Sequence, residues 1–220
     1  MQAVIFDMDG LLIDSEPFWK QAEKRVFSDI GIEITDALSA KTMGMTTREA
    51  TEFWLEHAGL SLSQDSMEQV ENDVIDEVAS LTATKGQALP GVHNLLEQLK
   101  QHRLKIGLAT NAPARLVPVV LERLDITAFF DNYVADDDVE QGKPHPAIYQ
   151  LALQRINAKA DHTLALEDSV TGMTAAIGAG IRTVVVPSAA NYHLPHYDAA
   201  VLKLESLNGL ALEELHDLFS

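Results

Sequence analysis

Ala3-Val4-Ile5-Phe6-Asp7-Met8-Asp9-Gly10 runs four apolar residues straight into an acid, places a second acid two positions on, and ends in glycine. A short apolar run without polar alternation is the pattern of a strand buried on both faces, as in a parallel sheet. The acids then stand just beyond its carboxyl end, where open parallel α/β sheets bind their ligands. On an extended chain Asp7 and Asp9 share a face, and Gly10 can turn the backbone so that both look into one crevice. Two such carboxylates repel, which splits their protonation states. One stays ionised, to hold a cation or attack phosphorus, and the other carries a proton as general acid and then base. Taken alone, the pair also suits an acidic turn that caps backbone N–H groups.

Working outward, apolar runs at 105–109, 133–135, 163–166 and 183–186 have the same strand character. Helical patterns lie between most of them, at 91–102, 114–124, 146–155 and 170–179, with Gly180 placed to end the last. This alternation predicts an α/β fold, a doubly wound parallel sheet covered on both faces. One stretch departs from it. Between residues 15 and 85 the pattern is helical throughout, with stripes at Trp19, Ala22, Val26 and Ile30 and at Met67, Val70, Val74, Ile75, Val78 and Leu81. Thr46-Thr47-Arg48-Glu49 has the form of a capping box ahead of a third helix. The expectation is an α/β core of residues 1–14 and 88–220, interrupted after its first strand by a helical cap of residues 15–87.

Further polar groups fall on the same rim. Thr110-Asn111 follows the second strand and offers a hydroxyl and backbone N–H groups suited to phosphate oxygens. Glu167-Asp168 follows the fourth strand, where buried acids are costly unless a cation joins them. Asp7, Asp168 and the Asp9 main-chain carbonyl form an oxygen set suited to Mg²⁺, with Glu167 either steering a ligand or capping a helix. Lys143 adds a point charge for phosphate or for the nucleophile's carboxylate. Asp136-Asp137-Asp138 is expected to be a solvated loop near this rim, and His145 structural.

The whole chain bounds what the site can serve. A net charge of −17 disfavours nucleic acid and anionic membranes as partners. The absence of cysteine removes disulfides, thiolate metal sites and a thiol nucleophile. No Gly-x-x-x-x-Gly-Lys loop or Gly-x-Gly-x-x-Gly fingerprint supports a nucleotide cofactor. The N-terminus lacks the basic and apolar regions of a signal peptide, and no apolar run nears the ~20 residues that span a bilayer. A monomeric cytoplasmic protein acting on a small molecule is expected.

Phe6-Asp7-Met8-Asp9-Gly10, Ala109-Thr110-Asn111, Gly142-Lys143-Pro144 and Leu166-Glu167-Asp168-Ser169 together resemble the four motifs of the haloacid dehalogenase superfamily, in order and across nearly the whole chain. The helical insert is similar to the cap of the beta-phosphoglucomutase-like subgroup. The run from Asp7 to Pro17 looks closest to bacterial sugar-phosphate phosphatases acting on hexitol phosphates or 2-deoxyglucose 6-phosphate. The resemblance implies an Mg²⁺-dependent phosphatase with Asp7 as nucleophile and Asp9 as proton donor to the leaving alcohol. It further implies Thr110, Asn111 and Lys143 as phosphate-binding groups, and Asp7, Asp9 and Asp168 as metal ligands assisted by Glu167. Specificity is expected from the cap, at Trp19, Gly44, Thr46, Thr47 and Arg48. A sugar phosphomutase is the alternative. The mutases carry a His where this chain has Trp19 and a cap Lys whose nearest counterpart is Glu71, although Arg48 can still grip an anion.

Overall fold

The computed structural model describes residues 1–39, 41–42 and 45–219. Six strands form one sheet in which every neighbouring pair is parallel. They are β1 (Ala3–Phe6), β2 (Lys105–Ala109), β3 (Asn132–Val134), β4 (Thr163–Glu167), β5 (Arg182–Val185) and β6 (Leu202–Lys203). Their order is β3-β2-β1-β4-β5-β6. The chain therefore builds from β1 toward one edge and then returns to β1's other side. That reversal is the topological switch beyond whose carboxyl ends a ligand binds in such sheets.

Alternation along the strands supplies two cores. Val4, Phe6, Ile106, Leu108, Leu164 and Leu166 face α5 (Val92–Gln101) and α6 (Leu116–Arg123). Ala3, Ile5, Ala109 and Ala165 face α7 (Ala147–Arg155) and α8 (Val170–Gly178). Because both faces are covered, the strands carry the unbroken apolar runs seen in the sequence. Asp7 and Glu167 continue the parity of Ile5 and Ala165, so both side chains emerge on the α7–α8 side of the rim.

Between β1 and α5 lie α1 (Glu16–Asp29), the single-turn α2 (Asp36–Ser39), α3 (Thr47–His57) and α4 (Gln64–Lys85). Thr46 and Glu49 exchange the two hydrogen bonds of a capping box at the start of α3. Trp54 is wholly buried beneath α1 and α4, whose stripes at Ala22, Val26, Val70, Val74 and Val78 share its core. Arg25 bridges to Glu77 at 3.0 Å, tying α1 to α4. Arg115 reaches Asp76 at 2.8 Å and the Asn72 side chain and carbonyl at 3.0 Å, tying α4 to the start of α6. The two chain crossings run side by side: Ile13 bridges Ala88, and the Leu89 N–H donates to the Leu12 carbonyl. No described helix is long and apolar enough to cross a membrane.

Local features differ from the sequence expectation, and β5 at 182–185 instead of 183–186 is one of them. The third strand occupies 132–134 and not 133–135, because the Ala135 N–H donates to the Asp138 carboxylate instead of to a strand. β6 and α9 (Leu212–Asp217) extend the fold beyond the anticipated elements. β6 has two residues, tied down by Val201 and Leu204 N–H groups to β5 carbonyls, and offers no run long enough to recognise. The anticipated helix from 114 begins at Leu116, after a turn in which the Asp137 carboxylate accepts the Ala114 N–H.

Within the acidic run at 136–138, expected to be a solvated loop, Asp137 and Asp138 accordingly cap backbone N–H groups. Asp138 also accepts from Arg155 at 2.6 and 3.0 Å. Asp136 is half-buried; burial, with the Asp137 and Glu49 charges, pushes its carboxyl up to about 6. The folded protein then holds a proton between pH ~4 and ~6 that the unfolded chain has released, so this residue makes stability fall as pH rises through that window. Asp136→Asn is expected to raise the melting temperature at pH 7.5 and to change it little at pH 4. An equal shift at both values in thermal melts would contradict this assignment.

Candidate active site

β1 delivers Asp7 to the rim, where its N–H still donates to the Leu166 carbonyl at 2.9 Å. The chain then turns through Gly10, whose φ of +81° is a conformation that L side chains rarely adopt. A Cβ there would also strike the Asp168 carboxylate, so glycine is required twice over.

Lys143 is the hub of the site. Its ammonium lies 2.6 Å from Asp7 Oδ1 and 2.6 Å from Glu167 Oε1, with all three residues buried. The Tyr149 hydroxyl donates to the same Glu167 oxygen at 2.7 Å, and the Ser169 hydroxyl to Oε2 at 3.2 Å. A Cβ on Gly172 would collide with this Glu167 carboxylate, so the first turn of α8 can approach it only with glycine. Asn111 holds the Lys143 backbone from both sides: its Oδ1 accepts the Lys143 N–H at 2.8 Å and its Nδ2 donates to the Lys143 carbonyl at 3.2 Å.

The Asn111 side chain thus has a task the sequence did not suggest, beside the backbone N–H expected to meet phosphate. It fixes Lys143, which leaves the main-chain N–H as the group Asn111 can offer an anion. Thr110 is buried, and its Oγ1 accepts the Ala112 N–H at 3.0 Å while its hydroxyl hydrogen can turn toward the cavity. Glu167, expected to steer a ligand or cap a helix, chiefly anchors Lys143. Tyr149 was not anticipated, because it falls on the apolar stripe of α7 with Ile148, Ala152 and Leu153 and passes for a core residue. Ser15 was also missed. It precedes α1 but makes no cap, donating instead to the Asp9 carboxylate.

The acids carry the electrostatic mark of an incomplete set. Burial, then the Glu167 charge, outweighs Lys143 and pushes the Asp7 carboxyl up to about 7. Burial also raises Asp9, against the opposing Ser15 hydroxyl and Trp19 indole. Asp168 is held well above the usual carboxylate range by burial and by the Asp7 and Glu167 charges. Burial alone would lower the Lys143 ammonium, but Asp7 and Glu167 prevail and raise it. Oxygens of Asp7, Glu167 and Asp168 lie within 4.8 Å of one another. A hard divalent cation takes oxygen donors of this kind and would offset the excess negative charge. Since Glu167 Oε1 already holds an ammonium and a phenol, Asp7 and Asp168 are the better ligands.

A cavity of about 730 Å³ opens over this group. Asp7, Asp9, Thr110, Lys143 and Asp168 form its floor, and Trp19, Thr46 and Thr47 line the opposite wall. Trp19 thus lines the cavity, as expected of a specificity residue. Arg48 does not line it and pairs instead with Glu52 at 3.2 Å. Gly44 lies outside the described residues. His145 accepts the Ala147 N–H at 3.3 Å at the start of α7, the structural role expected of it.

Known proteins are similar to this chain in sequence and fold. A phosphorylated carbohydrates phosphatase of Thermotoga maritima is 38% identical over 184 residues, 84% of each chain. Hexitol phosphatase B of Escherichia coli is 34% identical over 97% of this chain and 96% of its own. The crystal structure of CbbY from Rhodobacter sphaeroides in complex with phosphate superposes with a TM-score of 0.90 at 25% identity, over 98% of this chain and 99% of the other. Residues 4–186 match the haloacid dehalogenase-like hydrolases from the first strand to the end of the fifth. With its motif residues drawn together around Lys143 at the switch of a parallel sheet, the chain belongs to the haloacid dehalogenase-like hydrolase family.

Proposed function

We propose that this phosphatase hydrolyses a small sugar or sugar-alcohol phosphate through an aspartyl-phosphate on Asp7, with Mg²⁺ as cofactor. One observation carries the reading: the Lys143 ammonium lies 2.6 Å from Asp7 Oδ1, while the Asp9 carboxyl is held apart by Ser15. Two acids only two residues apart thus occupy different environments, as nucleophile and proton donor must. Lys143 favours the ionised form of Asp7 against its burial and holds it in place. Asp7 attacks phosphorus, Asp9 protonates the departing alcohol oxygen, and Asp9 then draws a proton from the water that cleaves the acyl phosphate. Thr110 and the Asn111 N–H hold phosphoryl oxygens, and Lys143 neutralises their charge. Mg²⁺ would be held by Asp7, Asp168 and the Asp9 carbonyl, and would neutralise phosphate charge when bound.

The relatives named for hexitol phosphates and phosphorylated carbohydrates support the substrate class. Helices α1–α4 stand over the cavity as a cap of residues 15–87. The paired crossings near Asp14–Glu16 and Lys85–Leu89 are its hinges, closing the site from water during turnover. Trp19 and Glu71, in place of the mutases' cationic groups, favour hydrolysis over phosphate migration. The sequence expectations of a cytoplasmic, monomeric enzyme that engages neither nucleic acid nor membrane complete the proposal.

Asp9→Asn tests the division of labour. Loss of a general acid costs ~10²–10⁴-fold in rate. An alkyl phosphate, whose alkoxide needs a proton, should suffer that loss, while p-nitrophenyl phosphate should lose much less in the same Mg²⁺ buffer. Equal losses on both esters would remove Asp9 from the leaving-group role, and wild-type turnover undiminished by EDTA would remove the metal.

A further inference from the structure

Glu23 is a buried carboxylate that the phosphoryl chemistry does not use. It lies on the inner face of α1 with 8% of its surface exposed. Its Oε2 accepts hydrogen bonds from Trp54 Nε1 at 3.1 Å and Thr42 Oγ1 at 3.2 Å. Trp54 is fully buried, so this grip prevents the carboxylate from swinging out to solvent. The second oxygen, Oε1, has no hydrogen-bond partner among the described residues, yet it is not among their sealed, unsatisfied atoms. Glu23 also lines the cavity above Asp7. One oxygen is therefore locked in the helical block, while the residue lines the cavity over the reacting groups.

A desolvated carboxylate oxygen is costly unless a donor meets it. Solvent that reaches such an oxygen supplies the donor, and a substrate that displaces it has to replace the donor. A hydroxyl does so. A second phosphate or a carboxylate offers no hydrogen and adds like-charge repulsion in a cavity already rich in acids. Lys20, the cation lining the same wall, is paired with Glu16 at 2.9 Å.

We propose that Glu23 Oε1 accepts a hydrogen bond from a hydroxyl remote from the phosphate, so that the enzyme selects monophosphates with neutral polyol ends and rejects bisphosphates and phosphocarboxylates. This inference rests on the phosphatase reading and narrows its substrate. A hydrogen bond to a charged group accounts for about tenfold to a hundredfold in specificity. Gln at this position keeps an oxygen for Trp54 and Thr42 and so preserves the local fold.

The test compares glucitol 6-phosphate with hexyl phosphate, an ester of equal chain length without hydroxyls, in the full Mg²⁺-loaded chain. Wild-type enzyme is expected to prefer the hexitol ester by tenfold or more in kcat/KM. Glu23→Gln is expected to shrink that preference at least tenfold and to raise the relative use of a hexose bisphosphate. A wild-type enzyme that treats both esters alike overturns the inference without recourse to the variant, and so does a preference that survives the substitution unchanged. A wild-type enzyme that fails to cleave even p-nitrophenyl phosphate overturns the phosphatase reading itself, which separates the two failures.

Discussion

Asp7→Asn is expected to lower hydrolysis of p-nitrophenyl phosphate by ~10⁴–10⁶-fold, the scale on which removing a covalent nucleophile acts in other enzymes. The amide keeps the shape of the carboxylate but cannot displace an alkoxide from phosphorus. The loss must come without unfolding. Asp7 is buried, and burial, with the Glu167 and Asp9 charges, pushes its carboxyl up to about 7. Neutralising it relieves repulsion in that group, and Lys143 retains Glu167 as a partner at 2.6 Å. The variant should therefore melt no lower than wild type at pH 8. A variant with more than a tenth of wild-type activity would show that Asp7 is not the nucleophile. A collapse of the melting temperature would show that its charge is structural.

Lys143→Met is expected to damage both chemistry and fold. Its ammonium is the shared counter-charge of two carboxylates, and all three side chains are less than a tenth exposed. Removing one partner from a buried ionic group leaves uncompensated charge, which costs about 3–5 kcal/mol. The sign of the pH dependence follows. Without Lys143, the folded-state pKa of Asp7 rises further above its unfolded value. The destabilisation is then present above the unfolded value and is released as pH falls through the folded one. The stability deficit should be large at pH 8 and small near pH 5 in denaturant melts. Turnover should fall by ~10²–10³-fold, as for loss of a group aimed at developing charge. A pH-independent deficit would mean that Lys143 acts through packing and not through charge.

The parts visible in the sequence were those whose physics is local. β1 and β2 end where anticipated because a doubly covered parallel strand is an uninterrupted apolar run. The acids at 7, 9, 167 and 168 announced themselves by standing at strand ends, and the Thr46–Glu49 capping box is a contact between residues three apart. The missing parts depend on partners distant in the chain. Nothing around Asn111 says that its amide will grip a backbone 32 residues on, and nothing in α7 says that Tyr149 will meet Glu167. Glu23 shows the limit most plainly. A glutamate on an amphipathic helix is ordinarily solvated, and only the fold brings Trp54, 31 residues later, to hold it under cover. β6 escaped notice because its pairing lies in two flanking backbone bonds.

The most direct test of the covalent route is chemical trapping at Asp7. The Mg²⁺-loaded enzyme would be quenched during turnover of a phosphate ester and reduced with borohydride, which converts an acyl phosphate to an alcohol. Peptide mass spectrometry should then find homoserine in place of aspartate at position 7 only in samples that received substrate. Steady turnover with an unmodified Asp7, or with the modification at another carboxylate, would contradict the account.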